Sequence, residues 1–583
     1  MNDIRRTILW VIFGFSMVLL WDKWQLHNGN KATFFPSPSP AVTAPAQTPA
    51  GGASAVAGAA GVPSAAAPSA GAQGVAAVPG QPAPVAPATR ERIEVTTDVY
   101  RLSFDSEGGS LTHAELLKHV DMADKSRNFL LFDESAERVY VAQTGLIGGS
   151  YPTHKTVMKA VPGPRALKDG ENELSIRFES PDLGGVKLVK TWTLKRGSYD
   201  MAVAHEVVNT GSSPVSPQLY LQLVRDGNKP PGESSFYSTF TGPAVYTDAK
   251  KYQKVEFKKI EEGKAEIEKS ATNGYVAMVQ HYFASAWLLG DGVQRELFMR
   301  KVDNNLYSVG MITPVGEIAP GGSKTVQAQL FAGPQIEKTL EALTPGLELV
   351  KDYGWLTILA KPLYWLLDQL HKLLGNWGWS IVGLVLLLKI AFYWLNAKAY
   401  ASMAKMKAIN PKITEMRERL KDKPQQMQQE MMRIYREEKV NPMGGCFPIM
   451  IQIPVFIALY WVLLSSVEMR NAPWIGWIHD LSTPDPFFIL PLLMTASSLL
   501  QTALNPAPPD PMQAKMMWFM PLIFSVMFFF FPAGLVMYWL TNNILSIAQQ
   551  WIINTRMGVP PQFNLPSFKK ADAAVTDVKA KKK

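Results

Sequence analysis

At 583 residues the chain is too long for one compact core, and its mean hydropathy near zero hides apolar runs crowded at the two ends around a mixed middle. The formal charge of +9 does not read as a nucleic-acid surface, because the basic residues flank membrane-length segments and the aromatics lie inside apolar runs. One cysteine, Cys446, excludes an internal disulfide framework and a cysteine-based zinc site, and the eight histidines show no HExxH-type spacing.

In chain order, residues 1–6 carry Arg5 and Arg6 ahead of an apolar segment, 7–24, edged by Trp21 and Trp24. No small-x-small cleavage site follows closely; the nearest, Ala44-Pro45-Ala46, is well downstream, so a retained signal anchor is expected, with the N-terminus cytoplasmic. Residues 25–91 are rich in Ala, Pro, Gly and Ser and bury too little to fold, which predicts a flexible tether. From 92 to 346 short runs alternate between turns: Tyr100, Leu102 and Phe104; Met201, Val203, His205 and Val207; Leu219, Leu221 and Leu223. Period-2 alternation repeated this often predicts one large all-β sandwich.

Beyond Pro345 the pattern becomes helical. Region 347–376 contains KPLYWLLDQLHKLLG (361–375), whose leucines gather on one side, so an amphipathic helix in the membrane interface is expected. Within 377–556, five apolar segments of near-spanning length are predicted at 377–395, 446–465, 487–504, 516–532 and 534–555, which with the anchor make six crossings. Between the first two, 396–445 reads as a cytoplasmic helical hairpin. It carries eleven Lys and Arg residues, whereas 466–486 carries only Arg470. The positive-inside rule then puts the hairpin and the basic tail, 557–583, in the cytoplasm and the β domain outside.

A cation sits within one of these spans. Lys389 precedes Leu395 by six residues, about 9 Å from the inner boundary, and Gln452 lies at matching depth on the next span. A charge at membrane depth costs about 2.5–3.5 kcal/mol or more, so it is expected to face water or a partner. Tyr393 follows Lys389 at i+4, and the last span carries Tyr538, Asn542, Ser546 and Gln549 as a stripe. Thr495, Ser498 and Gln501 repeat the spacing on another span. Together these predict a shared hydrophilic groove, against the plainer reading of a snorkelling lysine and interhelical hydrogen bonds. In the hairpin, Met403, Met406, Met427 and Met431 offer either a pliable surface for apolar clients or packing for the hairpin itself. No Walker motif and no intramembrane carboxylate relay occurs, and no cofactor or metal site is expected.

The segments NPMGGCFPIMIQIPVF (441–456), GNWGWSI (375–381), YASMAKM (400–406), DPMQAKMMWFMP (510–521) and FPAGLVMYWLTNN (531–543) resemble the YidC/Oxa/Alb membrane-protein insertases, in the Gram-negative form with a large periplasmic domain. The resemblance implies a non-enzymatic insertase and chaperone of the bacterial inner membrane. Its architecture would be an α-helical core of six transmembrane helices, an all-β periplasmic supersandwich-like domain and a cytoplasmic helical hairpin. Its partners would be nascent integral membrane proteins, the Sec translocon, the ribosome through the basic tail and cytoplasmic loops, and the lipid bilayer. The family's groove cation maps onto Lys389, where arginine is usual; charge is kept but the planar fork is not. Two rival readings are a secondary transporter of an anionic solute with Lys389 as its site, and a membrane-tethered carbohydrate-active protein using His205 or His281. Against the second, His205 alternates within a strand and reads as a sheet-face residue.

Overall fold

The computed structural model describes residues 90–232, 239–420, 423–438, 447–505 and 511–556, together with Gly558 and Phe563. The anchor at 7–24 and nearly all of the linker and tail lie outside the described residues. The chain divides into two compact units at Asp352/Tyr353.

In the first unit the alternating segments form two nine-stranded sheets among the described residues. One runs, in spatial order, Arg92–Thr96, Tyr100–Asp105, Ser110–Val120, Asn128–Glu134, Val139–Ile147, Gln218–Asp226, Leu306–Pro314, Arg295–Asp303 and Ser270–Ala271. The other runs Lys251–Lys254, Gly242–Thr247, Tyr275–Gln280, Phe283–Leu289, Ser323–Pro334, Asp200–Asn209, Val186–Lys195, Glu173–Glu179 and Lys159–Ala160. Neighbouring strands are antiparallel. Period-2 patterning decides which face is buried: in Asp200–Asn209 every second residue, from Met201 to Asn209, is buried.

Polar side chains reach across the dry interior between the sheets. The Tyr100 hydroxyl donates to Tyr199 O at 3.0 Å and also to Ala332 O. The Tyr140 hydroxyl meets Ser285 Oγ at 2.5 Å, and Trp287 Nε1 donates to Gln222 O at 3.1 Å. Lys190, fully buried, donates from Nζ to Gly108 O at 2.5 Å and to Thr144 O at 2.7 Å. Its cross-strand neighbour His205 lies 3.0 Å, through Nε2, from Thr144 Oγ1. Burial, reinforced by the Lys190 charge, pushes His205 down to about 3, so the imidazole is neutral at ordinary pH. A fully buried histidine cannot reach a dissolved sugar. That removes His205 from the carbohydrate reading; His281, also buried, stacks on Tyr282 at 3.8 Å between ring centroids.

The second unit is helical: α1 (Thr357–Leu374), α2 (Trp377–Ala391), α3 (Tyr393–Arg419), α4 (Pro424–Glu437), α5 (Phe447–Ser465), α6 (Ile489–Leu504), α7 (Pro511–Phe528) and α8 (Ala533–Arg556). Four predicted spans reappear with shifted ends. The first does not run unbroken to 395: it stops at Phe392, and α2 and α3 meet at 68°. Among the described residues no single helix is long and apolar enough to cross a membrane; the bent pair Trp377–Ala391 plus Tyr393–Met406 passes that test together. The reason is partly length, since the 16 residues of α6 rise only about 24 Å against a hydrocarbon core of about 30 Å. In α8, at 24 residues, the cause is instead its many buried polar side chains.

The amphipathic helix packs its first turns on the helical core and leaves its last turn exposed. Ala360, Tyr364 and Leu367 are buried and Leu363, Leu366 and Leu370 pack beside them, while Leu373 is 80% exposed. The loop between α5 and α6 is tied into the same core. Met469, Ile478 and Leu481 are buried, and the first residues of α8 bond to it, Ala533 N to Thr483 O at 2.8 Å and Gly534 N to Leu481 O at 3.0 Å. Asp485, in the turn before α6, accepts through Oδ2 from Leu490 N at 2.7 Å.

Candidate functional site: a polar recess between helices

The helix that carries the cation is set by its N-terminus. Asn376 caps α2 by accepting from Trp379 N at 3.0 Å, while its Nδ2 donates to Pro473 O at 3.1 Å in the α5–α6 loop. Gly378 lets that loop lie close, because a Cβ there would fall 2.2 Å from Trp474 Cδ1. From this anchored end α2 carries Leu384 and Val385 into the core and brings Lys389, two residues before the helix stops, to the edge of a cavity.

The cavity is lined by Val385, Leu388, Lys389, Phe392, Asn396 and Val455, with Gln452, Tyr538 and Asn542 completing its polar wall. Its volume of about 40 Å³ has room for roughly two to four waters. It is a small recess between α2, α3, α5 and α8. Lys389 Nζ donates to Ser546 Oγ at 2.7 Å, and Ser546 in turn donates to Asn542 O at 2.7 Å. Asn396 Nδ2 donates to Gln549 Oε1 at 3.3 Å. Tyr538 is held against the stacked ring of Phe456, whose other contact, edge to face, is Trp539.

Of the residues expected in a groove, Lys389, Gln452, Tyr538 and Asn542 therefore line one cavity, with Ser546 and Gln549 bonded to its rim. Three are elsewhere. Tyr393 points outward, 43% exposed, off the face on which Val385, Lys389, Phe392 and Asn396 line the cavity at i, i+4, i+7 and i+11. Thr495 folds back on its own helix, Oγ1 donating to Pro491 O at 2.8 Å. Ser498 faces α8 but on another side, accepting from Asn543 Nδ2 at 2.8 Å. Asn543 and Gln550 make a second polar stripe that the sequence reading missed. Asn543 also reaches Ser497 Oγ at 3.1 Å, and Gln550 Nε2 donates to Asn505 Oδ1 at 3.1 Å. This stripe staples α8 to α6 and takes no part in the recess. Its signal was present in the seven-residue spacing of 543 and 550.

In the hairpin, Met406, Met427 and Met431 pack against Ile409, Ile413 and Met416, the seam between α3 and α4. Met403 is half-buried outside that cluster, and Met432 is 50% exposed. Three of the four methionines expected to receive clients are thus engaged in holding the hairpin together.

Both units match known families: residues 92–366 the YidC periplasmic domain, and residues 369–559 the family described as 60Kd inner membrane protein. The chain is 57% identical over 559 residues to the membrane protein insertase YidC of Cupriavidus taiwanensis, covering 95% of this chain and 98% of that one. It is 56% identical over 559 residues to the insertase YidC of Ralstonia nicotianae, with the same coverage. Among solved structures, the active YidC insertase with its first transmembrane domain resolved aligns at a TM-score of 0.36 and 20% identity, over 78% of this chain and 91% of that one. A helical inner-membrane protein with a periplasmic β-sandwich is the class these matches define. The chain belongs to the YidC family of membrane protein insertases. It is accordingly a non-enzymatic insertase and chaperone that acts on nascent membrane proteins.

Proposed function

We propose that this insertase works by holding the polar tail of a nascent membrane protein in the recess around Lys389 while the client's apolar segment enters lipid. The observation that carries the reading is the convergence of Lys389, Gln452, Tyr538 and Asn542, from three helices, on one cavity. A polar tail crossing hydrocarbon loses its hydration along the whole path; a hydrated stop partway shortens the dry stretch. Partition of an apolar segment of about 20 residues into lipid then drives release, with no nucleotide required.

In this reading the chain crosses the inner membrane six times with both termini cytoplasmic, and α2 with the start of α3 forms one bent crossing. The domain limits are those of the sequence: anchor 7–24, linker 25–91, sandwich 92–346, interfacial region 347–376, insertase core 377–556 and tail 557–583. Lys389 attracts acidic client tails, Gln452, Tyr538 and Asn542 solvate them, and Ser546 and Gln549 support the wall. Met403 and the exposed Met432 offer the client its first apolar contact at the hairpin. The tail lysines Lys569, Lys570, Lys579, Lys581, Lys582 and Lys583 supply the charge for a contact with ribosomal RNA, and the protein works alone or with the Sec translocon.

Photo-crosslinkers at positions 389, 452 and 538 test the reading in cells against stalled nascent chains. Crosslinks to the client's polar tail are expected at all three positions, with none at outward-facing Tyr393. Absence of nascent-chain crosslinks at all three would remove the recess as a client site.

A further inference from the structure

The break between α2 and α3 has no local cause. Sharp helix kinks normally sit at proline, at glycine or serine pairs, at π-bulges, or where a side chain invades the backbone ladder. The segment LVLLLKIAFYWLN (384–396) contains no proline, glycine or serine, and the backbone bonds on either side of the break are intact, Phe392 N to Leu388 O at 2.9 Å and Asn396 N to Phe392 O at 3.0 Å. The chain turns by 68° at Phe392 with no proline, glycine or serine to break it, within an aromatic run, Phe392-Tyr393-Trp394, of middling helix propensity.

Two side-chain hydrogen bonds flank the turn, and both end on the same helix. Before it, Lys389 Nζ donates to Ser546 Oγ; after it, Asn396 Nδ2 donates to Gln549 Oε1. Ser546 and Gln549 are three residues apart on α8 and so share a face. Both are almost wholly buried, at 2% and 8% exposed, as is Asn396 at 8%. A buried amide left unpaired costs about 1–3 kcal/mol, so each bond resists any motion that separates its partners.

We infer that Ser546 and Gln549 are positioning residues: together they clamp the α2–α3 bend and thereby aim Lys389 and Asn396 at the recess. The wall keeps one helical face across the bend: Val385, Leu388, Lys389, Phe392 and Asn396 line the cavity at i, i+3, i+4, i+7 and i+11, and Tyr393 lies off that face. Only the consequence for insertion rests on the reading of Lys389 as the groove cation; the clamp itself does not.

The test uses the full-length protein in lipid nanodiscs, with Cys446→Ser and spin labels at Leu386 and Glu418, exposed positions on either side of the turn. The Ser546→Ala/Gln549→Ala double variant is expected to shift the inter-label distance upward by as much as about 5 Å, the difference between arms meeting at this bend and collinear arms at 1.5 Å per residue. Insertion of an acidic-tailed client by the same protein in liposomes should fall about tenfold, a loss of about 1.4 kcal/mol. Ser546→Thr, which retains the hydroxyl, should keep both values. If the double variant does not accumulate, Gln549→Ala alone is read by the same distance. A distance that does not move overturns the clamp whatever happens to insertion. A distance that lengthens while insertion stays within twofold overturns the positioning role. Loss of the groove reading would show separately, as unimpaired insertion of the acidic-tailed client by Lys389→Met.

Discussion

Lys389→Glu is expected to reduce insertion of a client with an acidic exported tail by about thirtyfold or more, Lys389→Ala by about fivefold, and Lys389→Arg by less than twofold. The figures follow from charge alone. Two unit charges 4 Å apart interact by about 1 kcal/mol in water and about 4 kcal/mol at the effective dielectric of a protein surface. The recess has room for only a few waters, so the water value is a lower limit. Removing the cation forfeits one such term, and reversing its sign forfeits two. Arginine keeps the charge and still reaches the Ser546 hydroxyl that now accepts from Nζ at 2.7 Å. Protease protection of the client in proteoliposomes reads all three variants. A client with a neutral tail should change by less than twofold; if it loses as much as the acidic one, the role of Lys389 is structural.

In the periplasmic sandwich the largest effect is expected at Lys190. Lys190→Ala should destabilise the domain by about 3 kcal/mol, because it opens a void and strands the carbonyls of Gly108 and Thr144 in a dry interior. Lys190→Met should cost about 1 kcal/mol or less, since it fills the volume and removes a buried charge. Burial pulls Lys190 down to about 7, far below an unfolded lysine near 10.4. Between those values the unfolded chain binds a proton that the folded chain has lost, so stability rises with pH from about 7 to about 10. Below pH 7 both states are protonated and the penalty of the buried ammonium is carried in full. Thermal unfolding of the full-length protein, with hydrogen exchange reporting on Val186–Lys195, should show that rise, and Lys190→Met should flatten it. An equal rise in the methionine variant would assign the pH dependence to another group.

Alternation along strands was enough to read the sandwich and to set His205 on the core face, because a period of two leaves only two faces to choose between. The helices are harder to read. A period of 3.6 shows that Tyr538, Asn542, Ser546 and Gln549 share a stripe, but not which neighbour that stripe meets. Ser498 was legible as polar at membrane depth and illegible as the partner of Asn543, since that depends on how α6 and α8 are rotated against each other. Tyr393 was misplaced for a different reason: i+4 spacing from Lys389 fits either side of that residue, and the wall runs through Val385, Phe392 and Asn396 on the other side. The hairpin methionines show the same limit, for composition marks them as adaptable while the packing of Ile409 and Ile413 decides that three are already in use.

The most direct measurement is solvent access to the recess in the full-length protein. Single cysteines at Gln452 and Asn542, in a Cys446→Ser background, are exposed to a membrane-impermeant maleimide from one side of sealed vesicles at a time. Labelling of both from the cytoplasmic face, blocked when an acidic-tailed client is engaged, is the predicted result. Failure to label from that face, or labelling from the periplasmic face, would contradict a hydrated recess that opens inward around Lys389.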